Sequence, residues 1–467
     1  MRPNIVWVTL ESLRADHAPT GRAGDGSMPN LERVAGSAAG RRFDRCFSHA
    51  HWTPASSTSI LTGTAVSSHR VGYDDAIDVN TVPDGLQTVP EILGDAGYAT
   101  AGFTTNWYVG AAGLARGFDR FESVTKDELA TVRGGSAFAD YLVDSGHLGP
   151  RSSLDVPYHV RNCLKDWYQT RELGKWIGRQ ANDGTPFFGY VHVNNVHQPY
   201  RPPKALLREH LAGSEFSVAE VLAASNRYSD EIWDHIADAD TVDERDLRKT
   251  LAAYDAEVRY ADQLVGNVFD AVSTLEETVL VVTADHGELF GELGAFEHNL
   301  ALHDALVNVP LVVHGLDLER VSSDALVQHG DVMRTLLETV GVETGQFQGY
   351  DLRDEEREYV LCERGPRPSD LAKLRDRNPE FDASRYHWPA VACLRSADWK
   401  LVRSDDRTEL FRLPNERTDV SDEHPERVRR MERDLKALRP TERFESGDRA
   451  EIDDAMENHL RDMGYIE

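Results

Sequence analysis

Short apolar runs alternate with amphipathic stretches over residues 1 to about 345. The apolar runs are rich in β-branched and aromatic residues, as is typical of strands buried in a parallel sheet, and they lie at 4–10, 99–103, 187–193, 279–284 and 309–314. Apolar residues recur with helical spacing at 29–40, 88–97 and 248–275. This alternation predicts an α/β fold in which helices cover a large, mostly parallel sheet.

The pattern changes after residue 345. Short strands separated by turns predict a small antiparallel sheet, and they lie at 359–362, 390–395, 399–403 and 409–413. A helix of mixed charge at 424–438 is expected to pack on this sheet. The chain is therefore predicted to divide into an α/β domain, 1–345, and a C-terminal α+β subdomain, 346–467. Within the first, the polar segment 124–180 is interpreted as an irregular insertion or lid.

The composition of the chain limits the binding partners and the cellular compartment that we expect. With 79 Asp and Glu against 51 Lys and Arg, the formal charge is -28, which disfavours binding to nucleic acids and anionic membranes. Such an acidic, Lys-poor chain resembles halophilic proteins from high-salt cytoplasm. The four cysteines are far apart, which argues against a zinc knuckle or a disulfide scaffold. No apolar run has the length of a signal peptide or membrane span, so we expect a cytoplasmic protein without a membrane anchor.

Polar residues follow two of the apolar runs directly. Asp285 and His286 come after the 279–284 run, and Glu11 comes after the first run. The carboxyl ends of parallel strands are where open α/β sheets keep their sites, and Asp with His is a ligand pair suited to Zn²⁺ or Mn²⁺. The alternative is structural: Asp285 would cap a turn, and Glu11 would interact with a helix dipole.

Two further stretches carry candidate chemistry. The hydroxyl-rich segment HWTPASSTSILTG opens a helix, and an exposed hydroxyl at a helix N-terminus can act as a nucleophile toward an anionic centre. A capped helix start without chemistry is the alternative. His197 follows the 187–193 strand in a rigid, proline-containing turn, although a lone histidine is more often structural.

In this order, the pieces resemble the sulfatase family of the alkaline phosphatase superfamily. The motifs that carry the resemblance include PNIVWVTLESLRADH, MPNLERVAG, WTPASSTSILTG, GYATAGFTTN, VHVNNVHQPYRPP, YDAEVRYADQLVG, VVTADHGELFGE and NVPLVVHG. The resemblance covers most of the chain except 124–180, and it implies that 1–345 is a catalytic domain.

The resemblance assigns roles to individual residues. Thr53 falls on the nucleophile, because Leu61-Thr62-Gly63 fixes the register. The substrate-contacting histidine of the H-x-P-Y turn falls on His197, and a later basic residue falls on His298. Asn106 occupies the loop that in many relatives carries a lysine and a histidine, and it is expected to bind substrate. The implied cofactor is one divalent metal ion, either Ca²⁺, Zn²⁺ or Mn²⁺, with a ligand set of Glu11, Thr53, Asp285 and His286.

The departures from the family pattern shape the functional hypothesis. Threonine cannot be converted to formylglycine, and Ser57 stands where an arginine is expected. The remaining set looks like that of relatives that work through a covalent phosphothreonine. We therefore expect a metal-dependent hydrolase of a sulfate ester or phosphoester with Thr53 as nucleophile, acting on a small molecule or glycan. The alternatives are a phosphodiesterase or phosphotransferase, a metal-dependent phosphomutase, and a non-catalytic binding relative. An oligomer is possible.

Overall fold

A computed structural model describes residues 2–18, 28–75, 79–124, 140–141, 163–238, 241–445 and 447–450. The described strands are β1 (Asn4–Leu10), β2 (Gly40–Phe47), β3 (Ala99–Thr104), β4 (Arg120–Ser123), β5 (Phe187–Val193), β6 (Thr278–Ala284), β7 (Leu289–Phe290), β8 (Phe296–Glu297), β9 (Asn308–His314), β10 (Val327–Gln328), β11 (Val360–Arg364), β12 (Val391–Arg395), β13 (Trp399–Arg403) and β14 (Thr408–Arg412).

Helices connect and cover these strands. They are α1 (Pro29–Ala35), α2 (Thr53–Thr62), α3 (Val66–His69), α4 (Val89–Asp95), α5 (Trp107–Ala111), α6 (Leu164–Asp183), α7 (Lys204–His210), α8 (Val218–Asp230), α9 (Ile232–Ala237), α10 (Glu244–Val272), α11 (Asp304–Val307), α12 (His329–Val340), α13 (Pro368–Arg377) and α14 (Pro425–Leu438). Within the described ranges, none of them is both long and apolar enough to cross a membrane.

The main sheet confirms the predicted α/β architecture. Its eight strands lie in the order β10-β2-β9-β6-β1-β5-β3-β4. The pairs formed by β6, β1, β5, β3 and β4 are parallel, whereas β9 runs antiparallel to both β2 and β6. The central strands β1, β5 and β6 are almost completely buried, which explains their continuous apolar sequences.

Two local predictions need correction. The pattern over 29–40 predicted one helix, but α1 ends at Ala35 and β2 begins at Gly40. The sequence of β2, GRRFDRCF, is too polar to resemble a buried strand. Segment 124–180 was predicted to be irregular, yet residues 164–180 belong to the 20-residue helix α6, which buries Leu173, Trp176 and Ile177. Most of the rest of this segment, including any lid, lies outside the described residues.

The C-terminal antiparallel sheet is confirmed, with strand order β11-β12-β13-β14. Helix α14 packs on it through Met431 and Leu435. Lys400 on β13 is fully buried and binds two carboxylates, Asp304 at 2.8 Å and Glu416 at 2.6 Å. This ion cluster ties the small sheet to the segment that precedes β9. The division of the chain at about residue 345 stays a prediction.

Candidate active site

The central strands bring three chain segments together at one edge of the sheet. Leu10, the last residue of β1, pairs with Val193 of β5 and with Ala284 of β6. Residues at and just beyond these ends must therefore lie side by side. Glu11 and Asp285 follow their strands directly, and both are completely buried.

Helix α2 delivers Thr53 to the same place. Thr53 is the first residue of the helix, Trp52 precedes it in an extended conformation, and a proline occupies the first turn. Proline fits there because the first helical N–H groups have no partner within the helix. The Thr53 Oγ1 lies 2.5 Å from Glu11 Oε1 and 3.4 Å from His286 Nε2. The hydroxyl thus faces the carboxylate instead of capping its own helix, which argues against the structural alternative.

The donor atoms around Thr53 form a compact group that fits a divalent cation. Single ligand atoms of Glu11, His192 and Asp285 all lie within 4.8 Å of one another. His286 Nε2 lies 3.4 Å from Glu11 Oε1 and 3.5 Å from Asp285 Oδ2. Asp285 Oδ2 is buried without a hydrogen-bond partner, and such an oxygen needs a counterpart. Two carboxylates and two imidazoles are a ligand set suited to borderline divalent metals.

Neighbouring groups fix the orientation of these donors. Asp285 Oδ1 accepts from the backbone N–H of Ser12 at 3.2 Å and of His286 at 2.9 Å, which leaves Oδ2 as the outward-facing oxygen. His286 Nδ1 donates to the Gly287 carbonyl at 2.8 Å. In the neutral ring, Nε2 then carries no proton, and its lone pair faces the cluster, as in histidines that bind metals.

Burial and charge coupling set the protonation of the cluster. Burial opposes the charge on Glu11, but His192 and His286 hold its pKa well below the usual value. Burial and Glu11 raise the pKa of Asp285. Although burial opposes it, Asp285 and Glu11 raise the pKa of His286 to about 9. In the metal-free protein, protonated imidazole therefore supplies the positive charge that a cation would bring.

Asn106 supports the cluster from the end of β3. Its side-chain amide donates to Glu11 Oε2 at 2.8 Å and to Asn194 Oδ1 at 3.0 Å. Its oxygen caps α5 by accepting from Tyr108 N at 2.9 Å. The structure thus gives Asn106 a role in holding Glu11, while its predicted contact with substrate stays a prediction.

His197 and His298 line one wall of the site, and both are buried. The His298 ring centroid lies 4.6 Å from that of His286 and 5.5 Å from that of His197. Glu288 Oε1 is 3.4 Å from His298 Nδ1. The two histidines predicted from separate motifs therefore meet beside the proposed metal ligands, although no contact of theirs tests a catalytic role.

A buried carboxyl positions the turn that carries His197. Glu257 on α10 accepts from Arg201 N at 2.9 Å and from Asn195 Nδ2 at 3.1 Å. Burial raises the pKa of Glu257 to about 8. A largely protonated carboxyl therefore anchors the turn on both sides of His197.

His192 and Glu288 also lie at the site, although they were not among the residues predicted from the sequence. His192 is buried within β5, and its Nε2 lies 2.5 Å from Glu11 Oε2. The signal was present: a polar ring in an otherwise apolar run, FFGYVHV, cannot be buried without a partner. Glu288 directly follows the Asp-His-Gly motif, but only the fold reveals that it faces His298.

Known proteins share this arrangement of sequence and fold. The sequence profile named Sulfatase matches residues 3–342. The chain belongs to the sulfatase family. Arylsulfatase K of Gallus gallus is 27% identical over 314 residues, which cover 60% of this chain and 56% of that protein. The family member described here thus spans a little over half the length of that relative. PehA of Trinickia caryophylli, a multifunctional alkaline phosphatase superfamily protein, is 24% identical over 409 residues, which cover 73% of this chain and 74% of PehA.

Solved structures confirm the fold. The phosphonate monoester hydrolase of Agrobacterium radiobacter superposes with a TM-score of 0.68 at 16% identity, covering 94% of this chain and 95% of that one. A protein solved with its substrate, D-glucosamine-2-N,6-O-disulfate, gives a TM-score of 0.65 at 18% identity, with 94% and 97% covered. The sulfatase-family fold of the alkaline phosphatase superfamily, predicted from the motifs, is therefore confirmed.

Proposed function

We propose that this sulfatase-family protein is a metal-dependent hydrolase of sulfate esters or phosphoesters, with Thr53 as its nucleophile. The observation that carries the proposal is the position of Thr53 Oγ1, 2.5 Å from Glu11 Oε1 at the start of α2, inside a group of buried metal-type donors. Membership of the sulfatase family supports the class of ester.

Glu11, Asp285 and His286 would hold the cation, with His192 as a fourth donor beside them. A divalent metal bound there would act as a Lewis acid, lowering the pKa of the threonine hydroxyl and polarising the ester. Two observations support the fit of a metal ion. Asp285 Oδ2 is buried without a hydrogen-bond partner, and His286 Nε2 faces the other ligands because Nδ1 is bonded to Gly287 O.

The residues of the chain account for the transfer step. The Thr53 proton leaves along its hydrogen bond to Glu11, and Oγ1 attacks the sulfur or phosphorus atom in line with the leaving oxygen. The new Oγ1 bond forms as the bond to the leaving group breaks. His197 and His298 are placed to protonate the leaving oxygen or to bind the non-bridging oxygens. The unpaired N–H groups in the first turn of α2 favour the same anion.

A second step must regenerate Thr53. Attack by water on the covalent ester releases sulfate or phosphate and returns the proton to Oγ1. Attack by an acceptor alcohol would instead make the protein a phosphotransferase. This second candidate is favoured by Thr53 itself, because a threonine ester cannot collapse by the elimination open to formylglycine hydrate.

The substrate is proposed to be a small molecule or glycan that carries a sulfate or phosphate ester. The disulfated glucosamine bound by one structural neighbour supports the glycan class. The name of PehA, a multifunctional protein, supports tests on both kinds of ester.

Turnover of 4-nitrophenyl sulfate and bis(4-nitrophenyl) phosphate tests the proposal, together with metal analysis of the purified protein. Thr53→Ala should lower kcat by about 1,000-fold or more, because a nucleophile is lost, whereas Thr53→Ser should retain turnover. Thr58→Ala is the matched control, since Thr58 lies on the same helix and its hydroxyl bonds only to Pro54 O, at 2.7 Å. Unchanged turnover in Thr53→Ala would exclude Thr53 as nucleophile. Absence of both bound metal and turnover would favour a non-catalytic binding protein.

A further inference from the structure

Three buried side chains, two arginines and one histidine, lie where the end of β11 and the loop after it meet the segment before α2. Arg364 ends β11, Arg367 follows it in the loop before α13, and His51 lies two residues before Thr53. Their exposed fractions are 1%, 5% and 1%. Strand β11 reaches this position because Glu363 N donates to the His49 carbonyl at 2.9 Å.

Arg364 makes its side-chain hydrogen bonds to uncharged groups. Its two terminal nitrogens donate to backbone carbonyls, Gly365 O at 2.8 Å and His387 O at 2.5 Å. Its Nε is buried and has no hydrogen-bond partner. Among the described residues, no ion pair forms at Arg364. Burial and Arg367 lower its pKa to about 9, although Asp370 and Asp75 act in the opposite direction.

Arg367 also makes its hydrogen bonds to uncharged groups. One terminal nitrogen donates to Pro366 O at 2.9 Å, and the other lies 3.2 Å from His51 Nε2. The guanidinium stacks over Trp52, 5.6 Å from the ring centroid. Its nearest carboxylate, Asp370, is 3.9 Å away, too far for a direct hydrogen bond.

The hydrogen bond from Arg367 fixes the tautomer of His51. A guanidinium can only donate, so His51 Nε2 accepts and Nδ1 carries the proton. That Nδ1 is buried without a partner. Burial, Arg367 and Arg364 hold the pKa of His51 well below its usual value, which keeps the ring neutral. His51 Nδ1–H and Arg364 Nε–H are therefore two buried donors without acceptors.

Other buried arginines of this chain have close partners. Arg357 binds both oxygens of Asp331, and Arg395 binds Asp304 at 3.1 Å. Removing a charge from water costs several kcal/mol unless a partner restores it. Among the described residues, Arg364 and Arg367 share one ion pair, between Arg367 and Asp370 at 3.9 Å, so the two buried guanidinium charges can accommodate a further anion.

Open space exists beside Arg364. A cavity of about 50 Å³ is lined by Arg364, and by Leu300 and Leu302 from the segment that follows His298. Glu409 and Glu416 also line this cavity, whereas Arg367 and His51 do not, so it borders the arginine and is not itself the proposed subsite. This is several times the volume that one buried water needs. The guanidinium thus borders open space on the side of the loop that carries His298.

We propose that Arg364, Arg367 and His51 form a second anion subsite beside Thr53. It takes a second negatively charged group of the same substrate, a sulfate, phosphate or carboxylate, while the ester to be cleaved lies at Thr53. This inference rests on the proposed function and narrows its substrate class to esters with at least two anionic groups.

Binding measurements on the metal-loaded Thr53→Ala protein test this subsite without turnover. D-Glucosamine 6-O-sulfate and D-glucosamine-2-N,6-O-disulfate are titrated by calorimetry at constant ionic strength. The disulfate should bind about tenfold more tightly, as expected for one charge-assisted contact. Adding Arg364→Met or Arg367→Met should abolish this preference and leave the Kd of the monosulfate unchanged. Arg403→Met removes one exposed positive charge from the same sheet and should preserve the preference.

The melting temperature separates recognition from structure. Methionine keeps much of the apolar stem but gives up the bonds to backbone carbonyls, so each variant should stay folded with only a small fall in Tm. A large fall in Tm with equal weakening of both sugars would make the arginines structural and overturn the proposal. Equal affinity for the two sugars, or no binding of either, would also overturn it. Inorganic sulfate that binds through the arginines without a disulfate preference would indicate a free anion and overturn the substrate assignment. If Thr53→Ala still turns over aryl sulfate, the proposed nucleophile fails while the binding preference stands.

Discussion

Replacing Asp285 by asparagine should separate what the proposed metal ligands cost in stability without metal from what they gain when metal binds. Asn keeps Oδ1, the acceptor of two backbone N–H groups, and replaces the unpartnered Oδ2 by an uncharged amide. A buried charged oxygen without a partner costs about 1–3 kcal/mol, and burial and Glu11 disfavour the charge on Asp285, as the raised pKa of its carboxyl shows. An uncharged amide avoids this cost and can donate to a neighbouring carboxylate. Metal-free Asp285→Asn should therefore be more stable than metal-free wild type by about this amount.

Adding metal should make wild type at least as stable as Asp285→Asn. A ligand that binds only the folded state at about 100 times its Kd stabilises it by about 2.7 kcal/mol. For 467 residues, an unfolding entropy of about 2.1 cal/mol/K per residue gives about 1 kcal/mol/K for the whole chain. Wild type should thus gain about 3 °C in Tm with metal. Asp285→Asn should start about 1–3 °C higher and gain almost nothing.

Differential scanning calorimetry after chelation, and then with added Mn²⁺ or Zn²⁺, measures both differences. Asp262→Asn is the matched control, because every hydrogen bond of this buried carboxylate is satisfied: Asn30 N at 3.0 Å, Asn30 Nδ2 at 2.8 Å and Leu31 N at 2.8 Å. It should lower Tm and keep the metal response. A metal-free Asp285→Asn protein that melts below wild type, or one whose metal response equals that of wild type, would contradict this prediction.

Three further predictions concern other buried groups. Lys400→Met should destabilise the protein by about 3–5 kcal/mol, because two buried carboxylates lose their counterion. Denaturant unfolding should show a far smaller change for Arg403→Met, which removes an exposed charge. Equal losses of stability in the two variants would contradict the argument from burial. His192→Gln should weaken metal binding about 10–100-fold, as for groups that support metal sites. Tyr190→Phe removes only the hydroxyl 3.2 Å from His192 Nδ1 and should weaken metal binding less. Calorimetric titration with metal measures the Kd of both variants. The pKa of Glu257 is raised to about 8 from 4.5, so the folded protein keeps a proton that the unfolded chain releases. Wild type should therefore lose stability relative to Glu257→Gln as the pH rises from about 5 to 8, and urea unfolding that gave a pH-independent difference would contradict this.

The sequence was most informative where structure and chemistry follow from consecutive residues. The apolar runs before Glu11 and Asp285 are long enough to specify buried strands, and a polar residue at such a strand end has few places to lie. His192 was missed because it stands inside a strand, where its role depends on which strand pairs alongside. The role of Arg364 and Arg367 could not be predicted from the sequence for a related reason, because their position beside His51 depends on how the C-terminal sheet packs.

The packing of the C-terminal sheet separates two tasks in the proposed enzyme. The strands of the main sheet and helix α2 bring together the metal-type ligands and Thr53. Strand β11 and the loop after it carry Arg364 and Arg367 of the proposed second anion subsite. Cys362 and Glu363 bond to the backbone carbonyls of residues 48 and 49, only a few residues before the nucleophile. A change in β11 or in the loop after it can therefore alter which anionic substrates bind while the ligands Glu11 and Asp285 stay in place. This arrangement predicts that substrate preference and metal preference respond to different sets of substitutions.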